Sequence, residues 1–186
     1  MLDHEGPWSE SAYLELPAGD GRVELADGAL LVGPGTTDER GRAVEHVRAA
    51  VAGALPDGLR VIGPVPLRLG QDCLLVPDLV VTRASGDPAV LDAEDALMVL
   101  EVVGIEHGAV DRTFKPQLYA RSGIPYAVLV DHDAPFAVAN MIIGGRYHEY
   151  ARTEGGTVLR IEDPFRLEVD VADPADRDHD EVRAAG

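Results

Sequence analysis

The chain has 186 residues, of which 46% are hydrophobic and 26% are charged, and this composition suits one globular domain with a substantial core. Its formal net charge of −17 argues against broad, non-specific binding to nucleic acid or to an anionic membrane, although it leaves room for a local basic groove. A single cysteine, Cys73, excludes an internal disulfide framework and a cysteine-based zinc site.

Residues 1–20 are polar and predict an N-terminal arm that carries no signal-peptide pattern, and no apolar run in the sequence is long enough to span a membrane. We therefore expect a cytoplasmic protein without a membrane partner. After the arm, the segment GRVELADGALLVG predicts a strand, a turn at Asp27-Gly28 and a second strand, because Asp-Gly between apolar runs is a strong hairpin signal. Glu24 lies in the first of these strands.

The first helix is predicted in the segment PGTTDERGRAVEHVRAAVAGALPDG, with Thr37 or Asp38 as its N-terminal cap and with Pro56 and Gly58 at its end. An apolar stripe at helical spacing comprises Val44, Val47, Val51 and Leu55. The next two segments, RVIGPVPLRLG and CLLVPDLVV, predict a second hairpin. The first of its strands contains two prolines and is therefore expected at a sheet edge or bulge.

The segment LMVLEVV is almost wholly apolar and predicts a strand that is covered on both faces. VDRTFKPQLYARSG predicts a second helix with Val110, Phe114 and Leu118 facing inward. Because Pro116 would clash inside a helix, this helix is expected to begin near Thr113 or to be kinked.

The remaining strands are predicted in PYAVLVD, in a hairpin of FAVANMII and RYHEYART, and in TVLRI and FRLEV. The order of elements predicts an α/β or α+β domain over residues 21–170, with a mixed sheet flanked by helices and with N-terminal and C-terminal hairpins. Residues 171–186 are acidic and rich in alanine, and they predict a disordered tail.

Two carboxylates lie in otherwise apolar strands, Asp78 in CLLVPDLVV and Glu101 in LMVLEVV. Burying an acid is costly unless its charge is compensated, and two such acids suggest a shared divalent cation. Lys115, the only lysine of the chain, follows on the predicted second helix. Two carboxylates with a divalent cation and a lysine suit phosphodiester hydrolysis, since the divalent cation and the lysine ammonium group both stabilise the negative charge of the transition state.

An ordered set of motifs surrounds these residues. It comprises Pro77-Asp78, Glu101-Val102, Asp111 and Lys115 in the spacing D-x-x-x-K, Tyr119, Gly123-Ile124-Pro125 and Asp131, with ELADG upstream at Glu24 to Gly28. In these motifs the chain resembles the PD-(D/E)XK nuclease superfamily, and more closely its Uma-type family of "putative restriction endonucleases", over residues 20–170.

The resemblance implies a restriction-endonuclease-like core in which Asp78 and Glu101 bind Mg²⁺ or Mn²⁺, with the carbonyl of Val102 as a third ligand. It implies that Lys115 is the catalytic lysine, carried here on the helix, and that Glu24 is an auxiliary acid near the metal ion. It also implies DNA as the substrate. Because related nucleases pair to meet both strands of a duplex, a homodimer is expected.

Three further residues lie close to these in the sequence. Asp111 is interpreted as a helix cap or an auxiliary acid, Tyr119 as a core residue near the site, and His107 as a loop residue near the site. The segment Gly104-Ile105-Glu106-His107 stands where the resembled family has S-P-S-T, and the entry to the first helix lacks that family's histidine. Two alternatives to an active DNA endonuclease stay open, a catalytically inactive binding or regulatory module on the same fold and a metal-dependent hydrolase with another substrate.

Overall fold

A computed structural model of the chain describes residues 7–17, 21–33, 35–104, 110–134, 136–153 and 158–171. Within them the helices are α1 (Glu10–Leu14), α2 (Asp38–Ala54) and α3 (Lys115–Arg121). The strands are β1 (Val23–Ala26), β2 (Ala29–Val32), β3 (Arg60–Ile62), β4 (Leu67–Gly70), β5 (Cys73–Leu75), β6 (Leu79–Thr82), β7 (Leu91–Asp92), β8 (Ala96–Val103), β9 (Tyr126–Asp131), β10 (Phe136–Ile143), β11 (Arg146–Arg152), β12 (Val158–Ile161) and β13 (Leu167–Asp170).

The larger sheet has six strands in the order β11-β10-β9-β8-β6-β3. Its central strands β8 and β9 are parallel and are joined through α3, while the neighbouring pairs on either side are antiparallel. One face of this sheet packs on α2 and on the two-stranded sheet β12-β13, and the opposite face packs on α3 and on a second sheet. The predicted α+β class, a mixed sheet flanked by helices, is confirmed.

The smaller sheet has five strands in the order β2-β1-β5-β4-β7. The predicted hairpin at Asp27-Gly28 is confirmed, with Ala26 paired to Ala29 across the turn. The first helix is also confirmed, because α2 begins after Thr37, whose hydroxyl accepts the N–H of Arg40 at 3.2 Å.

The second predicted hairpin is confirmed, because β4 pairs antiparallel with β5 and β3 with β6, but each of its two segments is divided between the two sheets. CLLVPDLVV becomes β5 in the smaller sheet and β6 in the larger one, and RVIGPVPLRLG becomes β3 and β4 in the same way. Pro64, Pro66 and Pro77 lie at the breaks, where a residue without a backbone N–H interrupts ladder bonding and restricts its predecessor. As a result, Asp78 lies where the chain passes from one sheet to the other.

The second helix begins with a π-helical turn over Val110–Phe114, and Pro116 lies in the first turn of α3, where its missing N–H costs nothing. The prediction that Val110 and Phe114 face inward is wrong, since they are 42% and 37% exposed. The wider π-helical turn shifts the phase of the side chains, so that the apolar stripe of a regular α-helix does not continue through it. Leu118 is buried as expected.

The N-terminal arm contains α1, which the sequence did not predict. Ser9 caps this helix, and the hydroxyl of Tyr13 donates to the carbonyl of Val23 at 2.9 Å, which ties the arm to β1. Residues 172–186 of the predicted disordered tail lie outside the described part of the chain. Across the described segments, no helix combines the length and the apolar character that crossing a membrane requires.

Candidate active site

The two strand acids, Asp78 and Glu101, lie side by side in the larger sheet. β6 and β8 are antiparallel neighbours with Leu79 opposite Leu100, so Asp78, which directly precedes β6, lies beside Glu101. The backbone N–H of Val102 donates to Oδ2 of Asp78 at 2.7 Å. Asp78 and Glu101 are only 2% and 4% exposed, so both charges need compensation within the protein.

Two arginines that the sequence analysis did not single out contact these acids. Arg22, just before β1, and Arg40, in the first turn of α2, both donate to Oδ1 of Asp78, and the bond from Nη2 of Arg40 is 2.5 Å long. Nε of Arg40 donates to the carbonyl oxygen of Val102 at 3.0 Å, and Nη1 of Arg22 lies 3.5 Å from Oε2 of Glu101. Guanidinium groups therefore contact both carboxylates and the carbonyl that were predicted to bind a metal ion.

Lys115 lies at the centre of a second group of acids. Its Nζ atom is 2.6 Å from Oδ1 of Asp111, 2.9 Å from Oε1 of Glu24 and 3.6 Å from Oε1 of Glu101. Oε1 of Glu24 also accepts the N–H of Val76 at 2.7 Å. Burial acts to lower the pKa of Lys115, but the charges of the three carboxylates outweigh it and raise that pKa. Lys115 is therefore a buried ammonium ion at neutral pH.

Tyr119, interpreted from the sequence as a core residue near the site, is buried and belongs to it. Its hydroxyl donates to Oε1 of Glu101 at 2.6 Å. Burial raises the pKa of Glu101 to about 7, with the charge of Lys115 acting in the opposite direction and that of Asp78 adding to the rise. The buried carboxylate of Glu101 therefore holds a proton more readily than an exposed glutamate does.

The donor set fits a divalent cation, because carboxylate and carbonyl oxygens are the ligands that Mg²⁺ and Mn²⁺ prefer. These oxygens already attract positive charge, since Arg22 contacts both Asp78 and Glu101, and Arg40 contacts both Asp78 and the carbonyl of Val102. A metal ion and these two side chains would therefore use the same oxygens.

A cavity of about 670 Å³ opens beside Asp78 at the N-terminal end of α2. Its lining contains four arginines and three acids, in a chain whose net charge is −17. The charged residues that line the cavity are Arg22, Arg40, Arg42 and Arg48 together with Asp38, Glu45 and Asp78. Three of these four arginines are paired with acids of the same lining, Arg22 and Arg40 with Asp78 and Arg48 with Glu45.

His107, predicted as a residue near the site, lies outside the described residues. A different histidine, His132, forms a group with Glu39 and Asp133 whose potential metal-ligand atoms all lie within 4.8 Å of one another. Nδ1 of His132 is 3.1 Å from Oδ1 of Asp133. Glu39 and Asp133 are exposed, and exposed acids commonly lie close together without binding an ion, so we assign no metal to this group.

The backbone of Asp78 lies against Gly63 and leaves no space for a side chain at position 63. A Cβ atom on Gly63 would lie 2.3 Å from the carbonyl oxygen of Asp78, and its φ of +138° disfavours any side chain. Gly63→Ala is therefore expected to lower the free energy of unfolding by about 1–3 kcal/mol, measured by urea denaturation.

Gly58→Ala is the matched control, because Gly58 also has a positive φ, +83°, but no atom lies within 4 Å of its Cβ position. The free energy of unfolding of Gly58→Ala should fall by about 1–2 kcal/mol or less, which is the cost of a positive φ for a residue with a side chain. Equal losses in the two variants would show that contact with Asp78 does not constrain position 63.

Comparison with known proteins gives a family and a fold. The family model described as "Uma2: Putative restriction endonuclease" matches residues 10–172. No curated protein matches the chain. Among solved structures, the chain is similar to a putative nuclease of the DUF820 group from Anabaena variabilis ATCC 29413, with a TM-score of 0.65 and 13% identity over 77% of this chain and 84% of the other.

Proposed function

The chain belongs to the Uma2 family of putative restriction endonucleases, and from this premise we propose that it is a metal-dependent endonuclease that hydrolyses phosphodiester bonds of DNA. The family and the fold support a nuclease function. The single observation that carries the finer proposal is the placement of two buried carboxylates, Asp78 and Glu101, on neighbouring strands, with the buried ammonium of Lys115 3.6 Å from Glu101. These are the charges that phosphodiester hydrolysis needs around a divalent cation.

In this proposal the carboxylates of Asp78 and Glu101 and the carbonyl of Val102 hold Mg²⁺ or Mn²⁺. When bound, the ion supplies Lewis acidity to the phosphate and lowers the pKa of water. Hydrolysis forms a bond from a water oxygen to phosphorus and breaks the bond from phosphorus to the leaving oxygen. The water loses a proton and the leaving oxygen gains one, both by exchange with solvent.

Lys115 supplies a fixed positive charge for the negative charge that develops on the phosphate oxygens. Because its pKa is raised, it keeps its proton and is not the base that activates water. Glu24 and Asp111 position its ammonium group through contacts of 2.9 and 2.6 Å. Tyr119 orients Glu101 by donating to Oε1, while Oε2 faces Nη1 of Arg22 at 3.5 Å.

DNA is proposed as the substrate on the basis of the arginine-lined cavity beside Asp78. The cavity places four arginines next to the buried Asp78 in a strongly acidic chain, so a backbone phosphate would approach Asp78 through it. Arginine side chains bind phosphate oxygens with two parallel hydrogen bonds.

A second candidate function is a catalytically inactive binding or regulatory module on the same fold. The observation that favours it is the double contact of Arg22 and Arg40 with Asp78, which compensates this carboxylate without a metal ion. The two candidates make different predictions for cleavage, so one experiment separates them.

The experiment is the incubation of supercoiled plasmid DNA with the full chain in the presence of Mg²⁺, Mn²⁺ or EDTA. We expect nicked and linear products with either cation and none with EDTA. Asp87→Asn serves as a control variant, because Asp87 is an exposed acid, 97% accessible and paired with Arg60, and its loss should leave cleavage unchanged. Intact plasmid under every condition, with single-stranded DNA also intact, would favour the inactive module.

We also propose that the protein acts as a homodimer. β2 and β11 lie at the edges of their sheets within the described residues, and Val32 on β2 is 74% exposed. Uncovered strand edges favour pairing with another chain. Analytical ultracentrifugation at micromolar concentration is expected to give twice the monomer mass of 19.8 kDa, and a monomer would contradict this proposal. The cytoplasmic location stays a prediction from the sequence.

A further inference from the structure

We propose that Arg22 and Arg40 exchange partners during substrate binding, leaving Asp78 for a backbone phosphate in the adjacent cavity and thereby admitting the metal ion. This inference rests on the proposed function and adds a coupling to it. Metal and substrate phosphate then bind cooperatively, because each of them weakens the hold of the two arginines on the carboxylate.

Arg22 and Arg40 compete with a metal ion for the same oxygen atoms of Asp78 and Val102. Oδ1 of Asp78 accepts hydrogen bonds from both Arg22 and Arg40, and the carbonyl of Val102 accepts one from Nε of Arg40 at 3.0 Å. A divalent cation at these oxygens would lie against two guanidinium groups of like charge. Metal binding therefore requires that at least one of the arginines moves away.

Arg22 and Arg40 can move into the cavity next to them. Both of them line the cavity of about 670 Å³ that opens beside Asp78, together with Arg48 and the hydroxyl residues Thr36 and Thr37. A phosphodiester group in this cavity would offer charged oxygens to a guanidinium group in the geometry that arginine prefers.

The side chains of Arg22 and Arg40 differ in how freely they can move. The side chain of Arg22 is 16% exposed and extends from the segment before β1, whereas that of Arg40 is 3% exposed and is also held by Val102. Nη1 of Arg40 lies 3.4 Å from Oγ1 of Thr36, which already lies on the cavity wall. Arg22 can therefore leave Asp78 more readily, and Arg40 can turn toward the cavity without leaving its helix.

The affinity for the metal ion therefore depends on whether a phosphate is bound in the cavity. Without a phosphate, the arginines compete with the metal ion and weaken its binding. With a phosphate, they are drawn into the cavity, and Asp78 becomes free to bind the ion. The free energy of coupling between two ligands is reciprocal, so the metal ion strengthens phosphate binding by the same factor.

The test is the affinity for Mn²⁺ of the full chain, measured by isothermal titration calorimetry with and without dimethyl phosphate, an uncleaved phosphodiester. We compare the wild type with Arg40→Gln, with Arg22→Gln and with Arg166→Gln. Arg166 is the control, because its side chain is 74% exposed and it is not one of the residues that line the cavity in the described part of the chain.

We expect Arg40→Gln and Arg22→Gln to bind Mn²⁺ at least about tenfold more tightly than the wild type, and Arg166→Gln to match the wild type. Dimethyl phosphate should tighten Mn²⁺ binding by the wild type about fivefold or more, and by the Arg40→Gln variant less than twofold. The melting temperature of each variant verifies folding, and the less buried Arg22 provides a second variant if Arg40→Gln fails to fold.

Equal Mn²⁺ affinities in all four proteins, or a phosphate effect of the same size in the wild type and the Arg40→Gln variant, would overturn the exchange. If plasmid cleavage with Mn²⁺ persisted in that case, the proposed function would stand without it. If neither the wild type nor any variant bound Mn²⁺, the metal-dependent function and the exchange would both be refuted.

Discussion

Replacement of Lys115 by methionine is expected to lower the free energy of unfolding by about 3–5 kcal/mol at neutral pH. The substitution keeps the length and the apolar stem of the side chain but removes a charge that is only 1% exposed. The carboxylates of Glu24, Asp111 and Glu101 would then lose their shared cation in the protein interior. Urea denaturation measures this loss, provided that the unfolding free energy of both proteins depends on the urea concentration with the same slope.

A double variant separates this electrostatic cause from a packing cause. Lys115→Met combined with Glu24→Gln removes one of the uncompensated charges, so it should be more stable than Lys115→Met alone, whereas a packing defect would be additive. Arg121→Met, at the exposed end of the same helix, is the control and should change stability by less than about 0.5 kcal/mol. A loss below about 1 kcal/mol for Lys115→Met would contradict the role of its charge.

The second large effect is expected in catalysis. Asp78→Asn should reduce the rate of metal-dependent plasmid cleavage by about 10²–10³-fold, because asparagine keeps the size of the side chain but removes the negative charge that binds the cation. Single-turnover measurements at saturating DNA report the loss. If the Asp78→Asn variant retained more than about one tenth of the rate, Asp78 would not hold the metal ion.

Lys115→Arg addresses the same step without removing a charge. The ammonium of Lys115 is enclosed by three carboxylates, and a guanidinium group is larger and planar, so it cannot take the same position. We therefore expect a catalytic loss of the same order, about 10²–10³-fold, rather than rescue. Full activity of this variant would show that the lysine has no special role.

The sequence predicted those parts of the site that depend on local pattern. An acid in an apolar strand is conspicuous, and the neighbourhood of Asp78 and Glu101 followed from the adjacency of two apolar strands. The hairpin at Asp27-Gly28 and the start of α2 at Thr37 followed from turn and capping chemistry.

The arginine contacts could not be predicted in the same way. Arg22 and Arg40 are two of 15 arginines, and their bonds to Asp78 span 56 and 38 positions of the chain. Nothing local distinguishes them, because the contact arises only when β1, α2 and β6 pack around one point. The π-helical turn before α3 was missed for a related reason, since apolar spacing predicts a regular helix and the turn depends on its tertiary surroundings.

The crossing of the chain between the two sheets at Asp78 has a consequence for reading related sequences. The carboxylates, Arg22, Arg40 and Lys115 hold both sheets and α2 together, so each of them contributes to folding whether or not the protein cuts DNA. Selection for a folded chain would preserve the whole set after catalysis had been lost. The presence of these residues in a relative therefore indicates the same fold, and only a measurement of cleavage shows whether that relative is an active enzyme.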